Sequence, residues 1–207
     1  MPRPLRPPIE NGLYHVTARG NRRCEIYRDD ADRKYFLGLL ANAVERFAWE
    51  LHTYCLMTNH YHLVVQTPLA NISRGMQRLN SMHAQWFNWR YGLDGHLFQD
   101  RFHSVDVVDE AHFVELSRYV VLNPVRAGIT EHPAAYSWSS YRATIGIAER
   151  PPFLTCDSIF EAFGPTIDDA QGAYASFVKA GIGEAIRVRS SHGPGLTPDV
   201  AALAMAA

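Results

Sequence analysis

The sequence is poor in several features that mark whole classes of protein. Its three cysteines lie far apart and form no Cys-x-x-Cys pair, which argues against both a disulfide framework and a structural zinc site. No apolar run is long enough to cross a membrane, and the first 12 residues lack the apolar segment of a signal peptide. We therefore predict a cytoplasmic protein that has no membrane partner.

The net charge is close to zero, and lysines are few. The formal net charge is −1 at pH 7, and only Lys34 and Lys179 among the 20 basic residues are lysines. The other basic residues are arginines, whose planar group suits bidentate contacts with phosphate. Six arginines and only two glutamates fall within residues 1–28. This local excess fits a phosphate-binding surface, and a solvated arginine-rich face fits it equally well.

Hydrophobic residues make up 47% of the 207 residues, which is enough for a buried core, and their spacing predicts the secondary structure. Strands are predicted over 13–19, 50–57 and 60–66, and a further strand within 97–108. Helices are predicted over 30–48, 71–91 and 109–124, and Pro124 is expected to stop or kink the last of them. The order β-α-β-β-α-β-α predicts an α+β fold, a ferredoxin-like βαββαβ sandwich with an antiparallel sheet.

A change of composition after residue 145 divides the chain. We predict one domain over residues 1–145 and a C-terminal extension over residues 146–207. The extension carries two short apolar patches at helical spacing, followed by the stretch VRSSHGPGLTP, so short helices with a flexible end are expected. Its sequence indicates no function.

Two histidines stand two residues apart in the third predicted strand, at His60 and His62. Because side chains alternate in a strand, both imidazoles lie on one face and Tyr61 lies on the other. Two imidazoles at this spacing can share a cation, but a metal site needs at least a third ligand. A strand that merely happens to carry two histidines is the alternative.

Tyr119 and Asn123 are four residues apart, so they lie on one face of the third predicted helix. If that face packs over the two histidines, the Asn123 carbonyl oxygen completes a three-ligand site and Tyr119 lies close to a metal-bound substrate. A helix that ends at Asn-Pro, with Tyr119 as a half-buried core residue, is the alternative.

Five separated segments together resemble the REP-associated branch of the single-tyrosine HUH transposases. They are Arg19–Asn21, Met57–Val65, Gly95–Phe102, Tyr119–Gly128 and Tyr136–Tyr141. The resemblance covers about residues 11–145. It implies a ferredoxin-like fold, an HUH metal site and a tyrosine nucleophile on a helix. It also implies a transposase that cleaves and rejoins single-stranded DNA at hairpin-forming repeats.

The resemblance implies roles for individual positions. His60 and His62 match the metal ligands, Tyr119 matches the nucleophile, and Asn123 falls where relatives place an amide-bearing ligand. The expected DNA-binding residues are Arg19, Asn21, Arg22, Arg23 and Arg126. We expect the two imidazoles to face solvent when no metal is bound.

The residue types indicate the chemistry of such a site. Nitrogen and oxygen ligands without thiolate suit Mg²⁺ or Mn²⁺. Attack by Tyr119 on a phosphodiester would give a 5′-phosphotyrosine link and a free 3′-OH, and a second 3′-OH could reverse it without ATP. The main alternative is a catalytically silent protein of the same fold that binds hairpin DNA and regulates. A metal-dependent enzyme acting on a small molecule is a third possibility, and both a monomer and a homodimer are open.

Overall fold

The computed structural model describes residues 9–192, and its centre is a four-stranded antiparallel sheet. The strands are β1 (Gly12–Arg19), β2 (Glu50–Leu56), β3 (His60–Thr67) and β4 (His103–Asp106), in the order β2-β3-β1-β4. The three main helices are α1 (Asp30–Phe47), α2 (Ile72–Tyr91) and α3 (Glu110–Val121). This is the predicted ferredoxin-like βαββαβ arrangement.

The two faces of the sheet pack against different layers. On β3, Tyr61 turns toward α1 and α2: its hydroxyl donates to the Asn80 side chain at 2.6 Å, and its ring lies 4.9 Å from that of Phe36. His62 turns to the opposite face, where its ring contacts Tyr119 of α3. The predicted alternation of the motif is therefore confirmed.

A buried carboxylate joins the start of α1 to the end of α2. Asp32 is fully buried and accepts hydrogen bonds from the backbone amide of Arg28 at 2.8 Å and from the hydroxyl of Tyr91 at 2.8 Å. Arg90 reaches the same carboxylate at 2.6 Å and also binds Asp29, the N-cap residue of α1. These contacts thus hold together one end of the helical layer opposite the histidines.

The third predicted helix is shorter than expected. α3 ends at Val121, and a separate turn, α4 (Asn123–Arg126), follows it. Leu122 between them keeps helical torsions, with φ −86° and ψ −3°. Tyr119 and Asn123 consequently stay one turn apart although they belong to two helices. The strand predicted within 97–108 is β4, and Phe98 before it forms an isolated bridge with Gly20.

Four more helices follow α3 and its short continuation. They are α5 (Tyr141–Thr144), α6 (Asp157–Phe163), α7 (Ile167–Ala180) and α8 (Ile182–His192). The amide of Thr155 donates to the Leu51 carbonyl at 2.8 Å, so this part of the chain is joined to the edge strand β2. The division of the chain after residue 145 stays a prediction. The expected flexible end beyond residue 192, and the arginines of residues 1–8, lie outside the described residues.

Within residues 9–192, no helix combines the length and the apolar character that a bilayer crossing needs.

Candidate active site

The two histidines of β3 form one compact pair. Their ring centroids are 5.1 Å apart, with an interplanar angle of 77°. His60 is 7% exposed and His62 is 4% exposed. The expectation that they face solvent is therefore wrong. The reason is that α3 covers this side of the sheet, where the rings of Tyr119 and His15 lie 5.8 Å and 5.2 Å from that of His62.

Each imidazole uses one ring nitrogen and leaves the other without a partner. The Nδ1 atom of His60 is 2.7 Å from Oδ1 of Asn59, and Nδ1 of His62 is 2.9 Å from Nε2 of His15. Both Nε2 atoms are buried and make no hydrogen bond within residues 9–192. A buried ring nitrogen without a hydrogen-bond partner is energetically costly unless a bound group interacts with it.

Burial keeps both rings neutral. It lowers the pKa of His60 to about 3, with the nearby Arg19 charge acting in the same direction. Burial also brings the pKa of His62 well below its usual range, and the neighbouring His60 and His15 add to the effect. Since only a neutral imidazole can donate a lone pair to a metal, the pair is held in the form that coordination requires.

Tyr119 packs against His62, and Asn123 lies four residues further along the chain, at the start of α4. Tyr119 is 4% exposed, and its ring stands edge-on to that of His62. The Asn123 amide nitrogen donates to the carbonyls of Tyr119 at 2.9 Å and Val120 at 3.3 Å. Its Oδ1 atom is buried and accepts no hydrogen bond within the described part of the chain.

The donor set fits a divalent cation. His60 and His62 each offer a buried Nε2 atom, and Asn123 offers a buried amide oxygen. Between residues 9 and 192, no three histidine, cysteine, aspartate or glutamate side chains are grouped to hold a metal ion. A third protein ligand would consequently have to be of another type, such as the amide of Asn123.

The arginine-rich loop after β1 is attached to this site. Arg19 pairs directly across the sheet from His60, and a short 3₁₀ turn, Asn21–Arg23, follows it. The loop is held because the Gly20 amide donates to the Asn59 carbonyl at 2.8 Å and the Asn59 side chain donates to the Arg23 carbonyl at 2.9 Å. Four of the five residues predicted to contact DNA, namely Arg19, Asn21, Arg22 and Arg23, therefore lie beside the ligand strand.

Arg126 packs over the ring of Tyr119 and is not on an open surface. It is half-buried, and its guanidinium carbon stands 4.5 Å from the centroid of the Tyr119 ring. Burial lowers the pKa of Arg126, while proximity to Tyr119 opposes that shift. A cation over the face of a phenol ring is favourable and becomes more so as the phenol loses its proton.

Sequence reasoning missed two residues of the site, His15 and Asn59. Asn59 lies within Met57–Val65, one of the segments that carry the family resemblance, but its contact with His60 was not predicted. His15 lies opposite Val64 in the pairing of β1 with β3. Only that register brings it to the same face as His62, and strand register is not visible in a single sequence.

Comparison with known proteins bears on the whole arrangement. A family model described as "Transposase IS200 like" matches residues 9–123. A solved structure of a REP-associated tyrosine transposase bound to a REP hairpin superposes with a TM-score of 0.60 at 16% identity, covering 75% of this chain and 92% of the other. At that identity the likeness shows a shared fold, which is that of the HUH transposases.

A second solved structure is more distant. It is the tRNA(His) guanylyltransferase from Saccharomyces cerevisiae, with a TM-score of 0.43 and 10% identity over 82% of this chain and 79% of that one. So low a score supports no inference. No curated protein sequence matches the chain.

Proposed function

The chain belongs to the IS200-like transposase family, whose model matches residues 9–123, and from that premise we propose that it cleaves and rejoins single-stranded DNA through a tyrosine nucleophile and a divalent metal. The family makes the protein a DNA transposase. The metal, the nucleophile and the form of the DNA are the proposed part. One observation supports them most: the Nε2 atoms of His60 and His62 are buried and have no partner within residues 9–192, and the ring of Tyr119 stands edge-on to that of His62.

The ligands would be Nε2 of His60, Nε2 of His62 and Oδ1 of Asn123, and the cation would be Mg²⁺ or Mn²⁺. Bound there, it would polarise the scissile phosphate and offset charge in the transition state. The protein's own contribution is to keep both imidazoles neutral and to hold Tyr119 against them. Both features are consistent with the burial of the site.

Tyr119 would act by nucleophilic substitution at phosphorus. Its oxygen forms a bond to the phosphorus, the bond from phosphorus to the 3′ oxygen breaks, and the released 3′ oxygen takes a proton. The product is a 5′-phosphotyrosine link. Attack by another 3′-OH restores a phosphodiester and frees Tyr119, so the cycle consumes no ATP. The Arg126 cation over the ring would stabilise the phenolate as the proton leaves.

Single-stranded DNA beside a hairpin is the proposed substrate. The solved transposase with the shared fold is bound to a REP hairpin. Here, Arg19, Arg22 and Arg23 lie next to the ligand strand and would contact phosphates, with Asn21 in the same turn. A bond attacked by a tyrosine on a helix must lie outside a duplex, so the cleaved segment is unpaired. A monomer or a homodimer is compatible with this, because the histidines and Tyr119 that meet belong to one chain.

One observation favours a second candidate. Tyr119 is 4% exposed and both histidines are nearly buried, so DNA reaches the site only after α3 or the arginine loop moves. A catalytically silent protein that binds hairpin DNA and regulates would need no such movement.

The nucleophile is tested by Tyr119→Phe, with Tyr61→Phe as the matched control from the opposite face of the sheet. An oligonucleotide with a hairpin and an unpaired flank, labelled 3′ of the break, is incubated with Mg²⁺ and analysed on a denaturing gel. Wild-type protein and Tyr61→Phe should give a labelled covalent adduct, and Tyr119→Phe should give none while still binding the hairpin. Removal of divalent metal by EDTA should also abolish the adduct.

An adduct that persists in Tyr119→Phe would move the nucleophile elsewhere. Absence of any adduct from wild-type protein that binds the hairpin would favour the silent regulator.

A further inference from the structure

Two residues outside the ligand set each occupy the Nδ1 atom of a ligand histidine. We propose that Asn59 and His15 are positioning residues: Asn59 fixes the proton of His60 on Nδ1, and His15 accepts a hydrogen bond from Nδ1 of His62 when a cation binds, so that both Nε2 atoms are free for the cation. The inference rests on the proposed metal centre. It adds to that proposal the residues that make the two imidazoles competent.

The contacts of Asn59 settle the tautomer of His60. The Asn59 amide nitrogen donates to the Arg23 carbonyl at 2.9 Å, so its oxygen is the atom that lies 2.7 Å from Nδ1 of His60. An amide oxygen only accepts hydrogen bonds. The proton between them must therefore belong to His60 Nδ1, and in a neutral ring Nε2 then carries the lone pair.

The hydrogen bond between His15 and His62 can run in either direction. The bond between Nε2 of His15 and Nδ1 of His62 is 2.9 Å long, and the rings are stacked at 5.2 Å with an interplanar angle of 14°. If His62 donates, its Nε2 is free for a metal. If His15 donates, Nε2 of His62 carries a proton and cannot coordinate. A cation at the site selects the first arrangement, which only a partner able to accept a hydrogen bond permits.

Neither residue is a ligand in the proposed metal centre. Both polar atoms of the Asn59 amide are used, by Arg23 and His60. His15 does not complete a three-histidine site, since no such group with metal-binding geometry occurs within residues 9–192. Partners that hold the second nitrogen of a ligand histidine are known to affect metal affinity by about 10–100-fold.

The first test needs no metal. Long-range ¹H–¹⁵N correlation spectra of the ¹⁵N-labelled metal-free protein distinguish a protonated ring nitrogen from an unprotonated one. We expect His60 to be protonated on Nδ1 alone, and His62 to exchange between two tautomers and to become fixed on Nδ1 when Mg²⁺ is added. A proton on Nε2 of His60 in the metal-free protein would overturn the proposal.

The second test measures Mn²⁺ affinity from the electron paramagnetic resonance of the free ion. Asn59→Leu and His15→Leu should each weaken binding by about 10–100-fold, while Asn59→Asp and His15→Gln, which keep an accepting oxygen, should bind more tightly than the matching Leu variant. The control is His52→Leu: His52 is also buried, and its ring contacts Phe113 of α3.

The outcomes separate this inference from the proposed function. If wild-type protein binds Mn²⁺, His60→Ala does not, and both Leu variants bind as wild type does, the metal centre stands and the positioning role is wrong. If wild-type protein binds no Mn²⁺, the metal centre fails, and the tautomer of His60 still decides the role of Asn59.

Discussion

A buried histidine has a lower pKa than an exposed one when burial disfavours its charged form. His83 of α2 is fully buried on the side of the sheet away from the candidate site, and its Nε2 atom is 2.8 Å from the Ile26 carbonyl. Burial lowers the pKa of His83 to about 4, and the bond to Ile26 opposes the shift only in part. Below its ordinary pKa of about 6.5, the unfolded chain therefore takes up a proton that the folded chain does not.

The sign of the pH dependence follows. The stabilising contribution of neutral His83 is complete above pH of about 6.5 and is lost as the pH falls toward 4, at about 1.4 kcal/mol per pH unit. In His83→Gln, the free energy of unfolding should fall less steeply with decreasing pH, by about 1.4 kcal/mol per pH unit between about pH 6.5 and 4. Any loss of stability that the variant shows at pH 7 is a separate effect. Urea unfolding at several pH values measures it.

The control is His96→Gln, which makes the same exchange at an exposed position. An unchanged slope in His83→Gln would mean that His83 takes up its proton as readily in the folded state as in the unfolded chain.

At the scale of the elements, the start of α1 and the end of α2 are joined by a clamp, formed by Asp32, Arg90 and Tyr91. This clamp depends on the Asp32 carboxylate. Asp32→Ala removes the acceptor for the Arg28 amide, the Tyr91 hydroxyl and Arg90, and so leaves several donors unsatisfied at the junction of the two helices. We expect a loss of about 2–4 kcal/mol in the free energy of unfolding. Denaturant unfolding at pH 7 measures it.

Asp30, two residues earlier on the same helix, is the comparison. Its side chain is largely exposed and lies 3.7 Å from Arg33, so Asp30→Ala should change stability by less than about 1 kcal/mol. Equal losses in the two variants would show that burial of the clamp contributes nothing.

The elements also mark what the sequence could and could not predict. Apolar periodicity gave β1, β2, β3, α1 and α2 to within a few residues, because each buries one regular face. The interruption expected at Pro124 is present, but α3 ends a little earlier, at Val121, because a local substitution replaces helical bonding there. Pro124 has no amide hydrogen for the Val120 carbonyl, and the Asn123 side chain supplies the bond instead. Helical spacing cannot show such a replacement.

For the candidate site, strand alternation predicted which face His60 and His62 share, and it placed Tyr61 on the other. It could not predict their burial or the contribution of His15. Both depend on long-range packing, namely the register of β1 against β3 and the docking of α3.

At the scale of the whole molecule, the helices after residue 145 pack against the helices that carry the candidate site. Arg118 of α3 stands 4.3 Å from the centroid of the Phe177 ring of α7. Gly181 approaches Arg118 and Leu122 so closely that a Cβ atom there would lie 3.0 Å from each. Tyr174 of α7 is fully buried, 5.3 Å from Phe163. We propose that this C-terminal part supports the helix of Tyr119.

Tyr174→Ala tests that support. Removing a fully buried aromatic ring should lower the free energy of unfolding by about 3–5 kcal/mol. If the C-terminal helices are part of one cooperative unit, fluorescence and circular dichroism should still give a single coincident transition. Exposed Lys179 on the same helix provides Lys179→Ala as the control, for which little change is expected.

Two separate transitions in Tyr174→Ala, with the earlier one confined to part of the helical signal, would instead mean that residues after 145 unfold on their own. That result would favour the predicted division into a domain and an extension.

The alternation of β3 also has an evolutionary consequence. The middle residue of His60-Tyr61-His62 is constrained by the α1–α2 layer, through its bond to Asn80, whereas its neighbours are constrained by the site on the other face. An apolar residue at 61 would leave the Asn80 amide short of a partner, and an apolar residue at 80 would strand a buried hydroxyl. Selection therefore acts on positions 61 and 80 as a pair. Their history of substitution should follow the repacking of the core and be independent of changes in the chemistry a few ångströms away.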